Sequence, residues 1–442
     1  MAALADRFAE STRKAFVRRV EPGRALADAG GTVARACHDM ALRFSAGGTL
    51  LAFGNGEAST DAAHISVEFV HPVIVGKRAL PGRSLVTDPA SLTGVAQRVG
   101  FDNVYAHQLA TAARPDDIAL GVSPDGRCAN VLRGLERARA DGLLTVALVG
   151  GDGGDIAGSD AVDHVVLVPF HDPHIVKEVH VATYHMLWEL VHVFLEHPGF
   201  GREPRNGGTG QDQGGGEGWD QGASGQAQGG VEDLYPFLYD GRADLDDLLD
   251  EVARSTAEKA LEVVELRDRV GAAETEAIEA CAQDLVRAFS AGGTLLSFGN
   301  GGSSSDAQEV ARCFVDPSQP GWRPLPGRCL TDDVAVITAL SNDVDFEVVF
   351  SRQVRAFGRP GDIAVGLSTS GNSPNVMRAF EAAKDQGMLT IGLAGSTGGA
   401  MREADTIDHL FVVPSSSVHR IQEVQTTLYH VLRELTAIGL DA

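Results

Sequence analysis

The chain is poor in cysteine and in positive charge and lacks long apolar runs, and each shortage narrows the class of protein. Its five cysteines are odd in number and form no Cys-x-x-Cys pair, which fits a reduced cytosol better than a disulfide framework. Lys and Arg number 37 against 60 Asp and Glu, and the formal net charge of −23 repels nucleic-acid phosphates and anionic lipid. No apolar run reaches the roughly 18 residues of a membrane-spanning helix, and residues 1–10 lack the apolar core of a secretory signal. We therefore expect a cytoplasmic protein that binds neither nucleic acid nor membrane.

The sequence contains an internal repeat, which determines its organisation. Residues 44–51, Phe-Ser-Ala-Gly-Gly-Thr-Leu-Leu, recur as residues 289–296, at an offset of 245 residues. The same offset holds without a gap through further matched pairs: Phe101 and Phe346, Gly121 and Gly366, Pro169 and Pro414, and His185 and His430. A register kept over about 150 residues indicates a duplicated domain. We call the two units copy one and copy two.

The composition changes sharply between the copies. Residues 203–230 include 11 Gly and 5 Gln and almost no aliphatic side chain, so this stretch cannot bury enough surface to order itself. We predict copy one at residues 1–202, a flexible Gly/Gln-rich linker at 203–232 and copy two at 233–442. The apolar and aromatic residues between 233 and 251 leave two interpretations open, a docking segment and a solvated connector.

Short apolar runs alternate with helical patterns in each copy. In copy two the predicted strands are 294–298, 362–368, 389–394 and 407–413, and the predicted helices include 245–269, 274–290, 304–314 and 418–438. Buried short strands separated by helices are typical of a parallel sheet covered on both faces. The predicted fold class is therefore α/β, with two three-layer sandwiches, each carrying added N-terminal helices.

Two polar loops of copy two lie between the end of a predicted strand and the start of a helix. Residues 299–305 read Gly-Asn-Gly-Gly-Ser-Ser-Ser, and residues 368–373 read Ser-Thr-Ser-Gly-Asn-Ser. Glycines let the backbone approach an anion, and hydroxyls and free amides at a helix N-terminus donate hydrogen bonds to it. The loops predict a phosphate cradle without any lysine. The alternative is a helix N-cap with surplus serines.

Copy one has lost much of this donor set. Its loop equivalent to residues 368–373 reads Ser-Pro-Asp-Gly-Arg-Cys, and the carboxylate of Asp125 would repel a phosphate. Glu57 stands where copy two has Gly302. We therefore expect copy one not to hold a phosphate.

Copy one instead keeps a histidine and a carboxylate one helical turn apart. His64 and Glu68 share a helical face, and His185 follows on the last helix of the copy. Such a set suits a divalent metal such as zinc, and the carboxylate could also move a proton. A surface ion pair between His64 and Glu68 is the alternative. Copy two has Glu309 and Cys313 at the matching positions, so the pair is absent there.

Three segments of copy two resemble the phosphoheptose isomerases of the SIS (sugar isomerase) superfamily. They are residues 298–303 (Phe-Gly-Asn-Gly-Gly-Ser), the 368–373 loop and residues 420–424 (Arg-Ile-Gln-Glu-Val). The resemblance covers both copies and implies flavodoxin-like SIS sandwiches. Members of that family interconvert sedoheptulose 7-phosphate and a mannoheptose 7-phosphate through an enediol. They use a glutamate and a histidine for proton transfer, commonly with zinc, and are typically tetramers with sites at subunit interfaces.

Carried over residue by residue, the resemblance implies roles that are divided between the copies. The substrate and phosphate contacts fall in copy two, on Asn300, Ser303, Asp343, Ser368, Thr369, Ser370 and Ser373. The metal histidine and catalytic glutamate match copy one alone, the glutamine ligand matches copy two alone, and the last-helix histidine is present in both. The implied catalytic set is Glu68, His185 and His430, and the implied zinc set is His64, Glu68, Gln422 and His430.

Two hypotheses about function follow from this division. In the first, the copies form an intramolecular pseudo-dimer with one composite site that isomerises sedoheptulose 7-phosphate or a similar sugar phosphate, and two chains pair into a pseudo-tetramer. In the second, the protein is a non-catalytic sugar-phosphate sensor, scaffold or accessory factor. The first requires Glu68 to lie beside a sugar anchored at residues 368–373, because proton transfer needs direct contact.

Overall fold

The computed structural model describes residues 2–74, 76–197 and 245–441. The linker predicted at 203–232 lies outside the described residues. Copy one contains, in chain order, α1 (Ala2–Val17), α2 (Val20–Asp28), α3 (Gly30–Ser45), β1 (Leu50–Gly54), α4 (Glu57–Val70), β2 (Gly82–Ser84), α5 (Pro89–Val99), the 3-10 helix η1 (Phe101–Asn103), α6 (Val104–Ala112), β3 (Ile118–Ser123), α7 (Ala129–Ala140), β4 (Leu144–Gly150), α8 (Gly154–Ala157), β5 (His164–Val168) and α9 (Pro173–Glu196).

Copy two repeats this order at the offset found in the sequence. Its elements are α10 (Leu245–Ser290), β6 (Leu295–Gly299), α11 (Gly302–Val315), β7 (Gly327–Cys329), α12 (Val334–Asp343), the 3-10 helix η2 (Phe346–Val348), α13 (Val349–Phe357), β8 (Ile363–Ser368), α14 (Pro374–Asp385), β9 (Leu389–Gly395), α15 (Gly399–Glu403), β10 (His409–Val413) and α16 (Val418–Leu440). None of the described helices combines the length and apolarity needed to cross a bilayer.

Each copy contains one five-stranded sheet. The strand orders are β2-β1-β3-β4-β5 and β10-β9-β8-β6-β7, and every pairing between described strands is parallel. Helices cover both faces, so the predicted α/β sandwiches are confirmed. The sequence analysis missed the edge strands β2 and β7. They are three residues long and begin with Gly-Arg, too short and too polar to show an apolar run.

The long helix α10 differs from the prediction of two helices. It continues through Gly271, where a break was expected. A Cβ at Gly271 would lie 2.7 Å from ring atoms of Phe16, so the glycine provides room for α1 to pack closely. Glycine inside a helix costs about 1 kcal/mol relative to alanine, and packing against the phenyl ring offsets that cost.

The N-terminal helices are exchanged between the copies. Phe8 and Phe16 of α1 are buried in the core of copy two, whereas Leu248 and Val252 of α10 are buried in the core of copy one. Close backbone contact supports the exchange, since a Cβ at Gly30 would lie 2.6 Å from the carbonyl oxygen of Ala253. The two predicted domains therefore contribute to each other's cores, and this interlocking fixes how they face one another.

Candidate functional site

Four helices bring the copies together. Helices α4 and α9 of copy one pack against α11 and α16 of copy two, and residues 245 apart occupy equivalent places on either side. The arrangement creates two equivalent sites. Site A contains His64, Glu68 and His185 of copy one with Gly302, His419 and Gln422 of copy two. Site B contains the matching residues Glu309, Cys313 and His430 of copy two with Glu57, His174 and Lys177 of copy one.

Site A holds a buried set of metal-ligand atoms. His64, Glu68 and His185 each offer one ligand atom, and these atoms all lie within 4.8 Å of one another. The amide Nε2 of Gln422 lies 3.4 Å from Nε2 of His64. His185 Nε2 and Gln422 Oε1 are buried without a hydrogen-bond partner among the described residues. These two atoms are therefore available to a ligand, as is Nε2 of His430 in site B.

A chain of hydrogen bonds through His419 and Glu189 holds the carboxylate of Glu68 in place. His419 Nε2 lies 3.1 Å from Glu68 Oε2, and its Nδ1 lies 2.7 Å from Glu189 Oε1. Burial alone would lower the pKa of His419, but the hydrogen bonds to both carboxylates raise it to about 9. Burial alone would raise the pKa of Glu68, but His419 and His64 hold it well below its usual range. Glu68 is therefore ionised and fixed in place at neutral pH.

Burial shifts the pKa of two further groups, one in site A and one beside it. Burial, with the nearby charge of His419, lowers the pKa of His185 to about 4, although Glu423 opposes this. His185 Nδ1 lies 3.0 Å from Glu423, so the neutral ring presents Nε2 to the site. Burial also raises the pKa of Asp306 on α11 to about 6, and its Oδ2 has no partner among the described residues.

The predicted phosphate cradle lies at the carboxyl ends of β6 and β8, which are paired neighbours in the sheet. Asn300 and Asn375 exchange two amide hydrogen bonds of 2.9 and 2.8 Å, which tie the two loops together. Ser368 Oγ accepts from the amide of Gly371 and lies 3.0 Å from Ser373 Oγ. The hydroxyls and amides of this loop surround the N-terminus of α14, where an anion is favoured.

The cradle adjoins site A through two glycines. A Cβ at Gly302, the first residue of α11, would lie 2.3 Å from Gln422 Nε2 and 2.6 Å from His64 Nε2. On the other side, a Cβ at Gly395 would meet both Ile421 and the carbonyl oxygen of Thr369. The 299–305 loop and the start of α16 therefore bring the cradle of copy two to the histidine and carboxylate of copy one. Ser303 follows Gly302 directly and is buried.

Site B is closed by its own charges. Lys177, equivalent to Gln422, is buried and donates to Asp61 Oδ1 at 2.7 Å, to Thr60 Oγ1 at 2.9 Å and to the carbonyl of Glu57 at 3.0 Å. The carboxylate of Glu57, equivalent to Gly302, accepts from Ser318 at 2.6 Å. The ammonium group of Lys177 thus replaces the amide oxygen that Gln422 offers in site A, and Glu57 carries a side chain where Gly302 has none.

The equivalent loop of copy one differs in charge. Asp125 stands at the position of Ser370, and its Oδ1 accepts from the amide of Arg127 at 2.9 Å. Ser123 accepts from the amide of Gly126. In copy two, Ser370 and Ser368 accept from the matching amides in the same way, so the loops differ in the carboxylate of Asp125 rather than in free amides. The absence of a phosphate from copy one stays a prediction.

Two predicted site residues lie elsewhere. His430 belongs to site B, where it stacks on His174 and its Nδ1 lies 3.0 Å from Glu178, so His185 takes the place in site A for which His430 was proposed as a zinc ligand. The reason is geometric, since each site combines the last-helix histidine of one copy with the position 422 or 177 side chain of the other. Asp343 is exposed at the end of α12, and within the described residues its hydrogen bond is to Asn342 rather than to the cradle.

The sequence analysis missed His419, Glu189 and Asp306. His419 lies three residues before Gln422 on the same helix, a spacing that puts both side chains on one helical face. That spacing could have indicated His419. Nothing comparable pointed to Glu189 or Asp306, because their roles depend on packing between helices of the two copies.

Comparisons with known proteins identify the family of both copies. The SIS domain model matches residues 23–150 and 260–395. The chain is 46% identical over 164 residues to the phosphoheptose isomerase of Roseiflexus sp. (strain RS-1), which is 37% of this chain and 82% of that protein. It is 43% identical over 184 residues to the phosphoheptose isomerase of Aquifex aeolicus, which is 42% of this chain and 92% of that protein.

A solved structure resembles both copies together. The C-terminal domain of glucosamine-fructose-6-phosphate aminotransferase from Francisella tularensis aligns with a TM-score of 0.59, covering 98% of this chain and 96% of that one. At 9% sequence identity, this likeness concerns the fold alone.

Proposed function

The chain belongs to the SIS domain family, as a relative of the phosphoheptose isomerases, and from that membership we propose that it is a sugar-phosphate isomerase with one composite site. The substrate we propose is sedoheptulose 7-phosphate or a similar ketose phosphate, converted to the aldose through an enediol. The observation that carries the proposal is the contact of His64 and Gln422 with Gly302, because it joins the phosphate cradle of one copy to the ionisable residues of the other.

Neutral donors bind the phosphate in this proposal. Asn300, Ser303, Ser368, Thr369, Ser370 and Ser373 supply amides and hydroxyls at the ends of β6 and β8. No lysine or arginine stands among these residues, so the fixed dipoles of amides and hydroxyls bind the anion. The phosphate anchors the far end of the sugar, and the carbonyl end extends past Gly302 into site A.

Glu68 and His185 carry out the proton transfers. The ionised carboxylate of Glu68 accepts the proton from the carbon next to the carbonyl and returns it to the neighbouring carbon. His185 serves the two oxygens, because its neutral ring can exchange a proton there while Glu423 holds its Nδ1. His419 and Glu189 keep the carboxylate of Glu68 in position. Both exchanges occur in a buried pocket, which excludes competing water.

The same pocket fits zinc. His64, Glu68 and the oxygen of Gln422 form a set of nitrogen and oxygen donors that suits this ion and leaves Nε2 of His185 to the proton exchange. When bound, zinc would polarise the sugar carbonyl and so make the neighbouring carbon more acidic.

The test uses sedoheptulose 7-phosphate and metal analysis of the full chain. We expect the wild type to bind about one zinc per chain, and Glu68→Gln and Ser370→Ala each to lose activity by at least about 100-fold. Cys313→Ala changes the site B residue equivalent to Glu68 and serves as the matched control with retained activity. Because the site is intramolecular, mixing the two inactive variants should not restore turnover. Sugar-phosphate binding without isomerisation by the wild type would instead support the sensor hypothesis.

We also propose that two chains pair, giving four SIS units in one assembly. Copy two exposes apolar side chains at α12 and η2, with Val334 70% and Phe346 52% accessible. Exposed apolar residues grouped on one region are typical of an interface. Light scattering should give twice the chain mass, and Phe346→Ser should reduce it to one chain mass without loss of helical signal. A wild type that elutes as a single chain would contradict the pairing.

A further inference from the structure

An open groove in copy one lies away from sites A and B. It has a volume of about 430 Å³ and is formed by β2, α5 and α6. These helices cover the outer face of the sheet, whereas α4 and α9, which form sites A and B, cover the opposite face. Pockets for small-molecule ligands have volumes of about 300–1,000 Å³. The groove is therefore large enough for a ligand of its own.

The groove is basic in an otherwise acidic chain. Arg83, Arg98 and His107 line it, and no Asp or Glu is among its lining residues. Within the described residues, no carboxylate lies within ion-pair distance of these three side chains, and the carboxylate of Asp88, which caps α5, accepts from Ser91. Unpaired guanidinium groups gathered in one concave place favour an anion more strongly than the same charges spread over a surface.

The floor of the groove is apolar. Leu85 and Val95 are buried beneath it, and Ala90 and Ala112 line its sides. Gln108 is not free to bind a ligand, because its amide donates to two backbone carbonyls. The groove thus combines cationic side chains with an apolar surface, which suits a phosphate attached to a body with a flat apolar face.

The region of copy two that is equivalent to this groove is closed. Phe357 stands at the position of Ala112, and the guanidinium of Arg328, equivalent to Arg83, lies 4.2 Å above its ring. Asp343 stands at the position of Arg98. At these two positions copy one therefore has a methyl group where copy two has a large ring, and a base where copy two has an acid. Both differences favour an anionic ligand in the groove of copy one.

We propose that this groove is a second ligand site, for a nucleoside monophosphate or another phosphate monoester with a planar apolar group. Arg83, Arg98 and His107 bind the phosphate, and the planar group rests on Leu85 and Val95. The site is independent of the isomerase proposal, because it shares no residue with sites A and B or with the cradle of copy two.

Hydrogen–deuterium exchange of the full chain locates binding within the molecule. With adenosine 5′-monophosphate we expect slower exchange in peptides covering residues 83–112. Ribose 5-phosphate, which lacks the base, should protect this segment less and protect peptides around 299–305 and 368–373 instead. Unchanged exchange at 83–112 with adenosine 5′-monophosphate would overturn the proposal, whatever the isomerase assay shows.

Two substitutions in copy one, each introducing the residue that copy two has at that position, test the groove by calorimetry. Ala112→Phe fills it and Arg98→Asp reverses its charge, and each should weaken adenosine 5′-monophosphate binding by at least about tenfold. Arg35→Asp, at an exposed position on α3, makes the same change in net charge and should leave the affinity unaltered. Equal affinity in the wild type, Ala112→Phe and Arg98→Asp would contradict a site in this groove. An equal loss in Arg35→Asp would contradict it too, by assigning the effect to net charge.

Discussion

The substitution Gly302→Ala tests the composite site with one methyl group. The added Cβ would lie 2.3 Å from Gln422 Nε2 and 2.6 Å from His64 Nε2, whereas ordinary contact begins near 3.4 Å. The amide must therefore retreat by about 1 Å and the imidazole by nearly as much, because the methyl group sits on a rigid helix. Metal and catalytic sites tolerate displacements of only about 0.5 Å. We expect zinc affinity and kcat/KM each to fall by about 10–100-fold.

The fold should not suffer from this change. Gly302 is the first residue of α11 and its backbone is not in the left-handed region, so alanine is compatible with its conformation. Because two buried side chains must move, the free energy of unfolding should fall by about 1–3 kcal/mol, the usual cost of overpacking, and the protein should stay folded. Gly31→Ala is the matched control, since its Cβ would meet only the end of Arg35 at 3.7 Å. Zinc content, turnover of sedoheptulose 7-phosphate and urea unfolding are measured on both variants. Full zinc binding and activity in Gly302→Ala would refute the assignment of His64 and Gln422 to one site.

Three further predictions concern the cradle, site B and pH. Ser370→Asp places the residue of copy one in copy two and should raise the KM for sugar phosphate at least about tenfold. The control Asp125→Ser should leave the KM unchanged, and an unchanged KM in Ser370→Asp would contradict the phosphate cradle. Lys177→Met leaves buried carboxylates unpaired and should lower the free energy of unfolding, measured in urea, by about 3–5 kcal/mol. The control Lys384→Met removes an exposed ion pair and should lower it by at most about 1 kcal/mol, and equal losses in the two variants would refute the buried ion pair of site B. In zinc-free protein, the raised pKa of His419 gives stability that is complete below pH 6.5 and lost as pH rises through about 9, a change on the order of 3 kcal/mol. His419→Gln should lack this decline. A difference in unfolding free energy between wild type and His419→Gln that stays constant with pH would contradict the raised pKa of His419.

Sites A and B occupy equivalent positions in the duplicated domain but differ in the charge and size of their side chains. In site A, Gly302 carries no side chain, and the amide oxygen of Gln422 has no hydrogen-bond partner among the described residues. In site B, Lys177 pairs with Asp61, and Glu57 lies 3.3 Å from Arg312. Removing one partner of such a buried pair is costly, because the other charge is left uncompensated. Copy one thus supplies histidine and carboxylate to site A and closes site B.

Local sequence was enough for the features that one short segment contains. The strands β6, β8 and β9 and the loop at 368–373 depend on neighbours in the chain, so their patterns could be read directly, and the 245-residue offset followed from comparing the two copies. The difference between Ser370 and its equivalent Asp125 in copy one was equally local. The edge strands were missed because three residues carry too little periodicity to be recognised.

Tertiary structure alone decided which residues meet. Sequence offered His185 and His430 as equal candidates, and only the packing of α9 against α16 places the first with Glu68 and the second with Glu178. It also decided the exchange of α1 and α10 between the cores, which no repeat pattern contains. The physical reason is that burial, pairing of charges and orphaned polar atoms are properties of contacts between distant segments. The sequence determined the two folds, and the interlocked packing determined that His64 and Glu68 of copy one meet Gln422 and His419 of copy two.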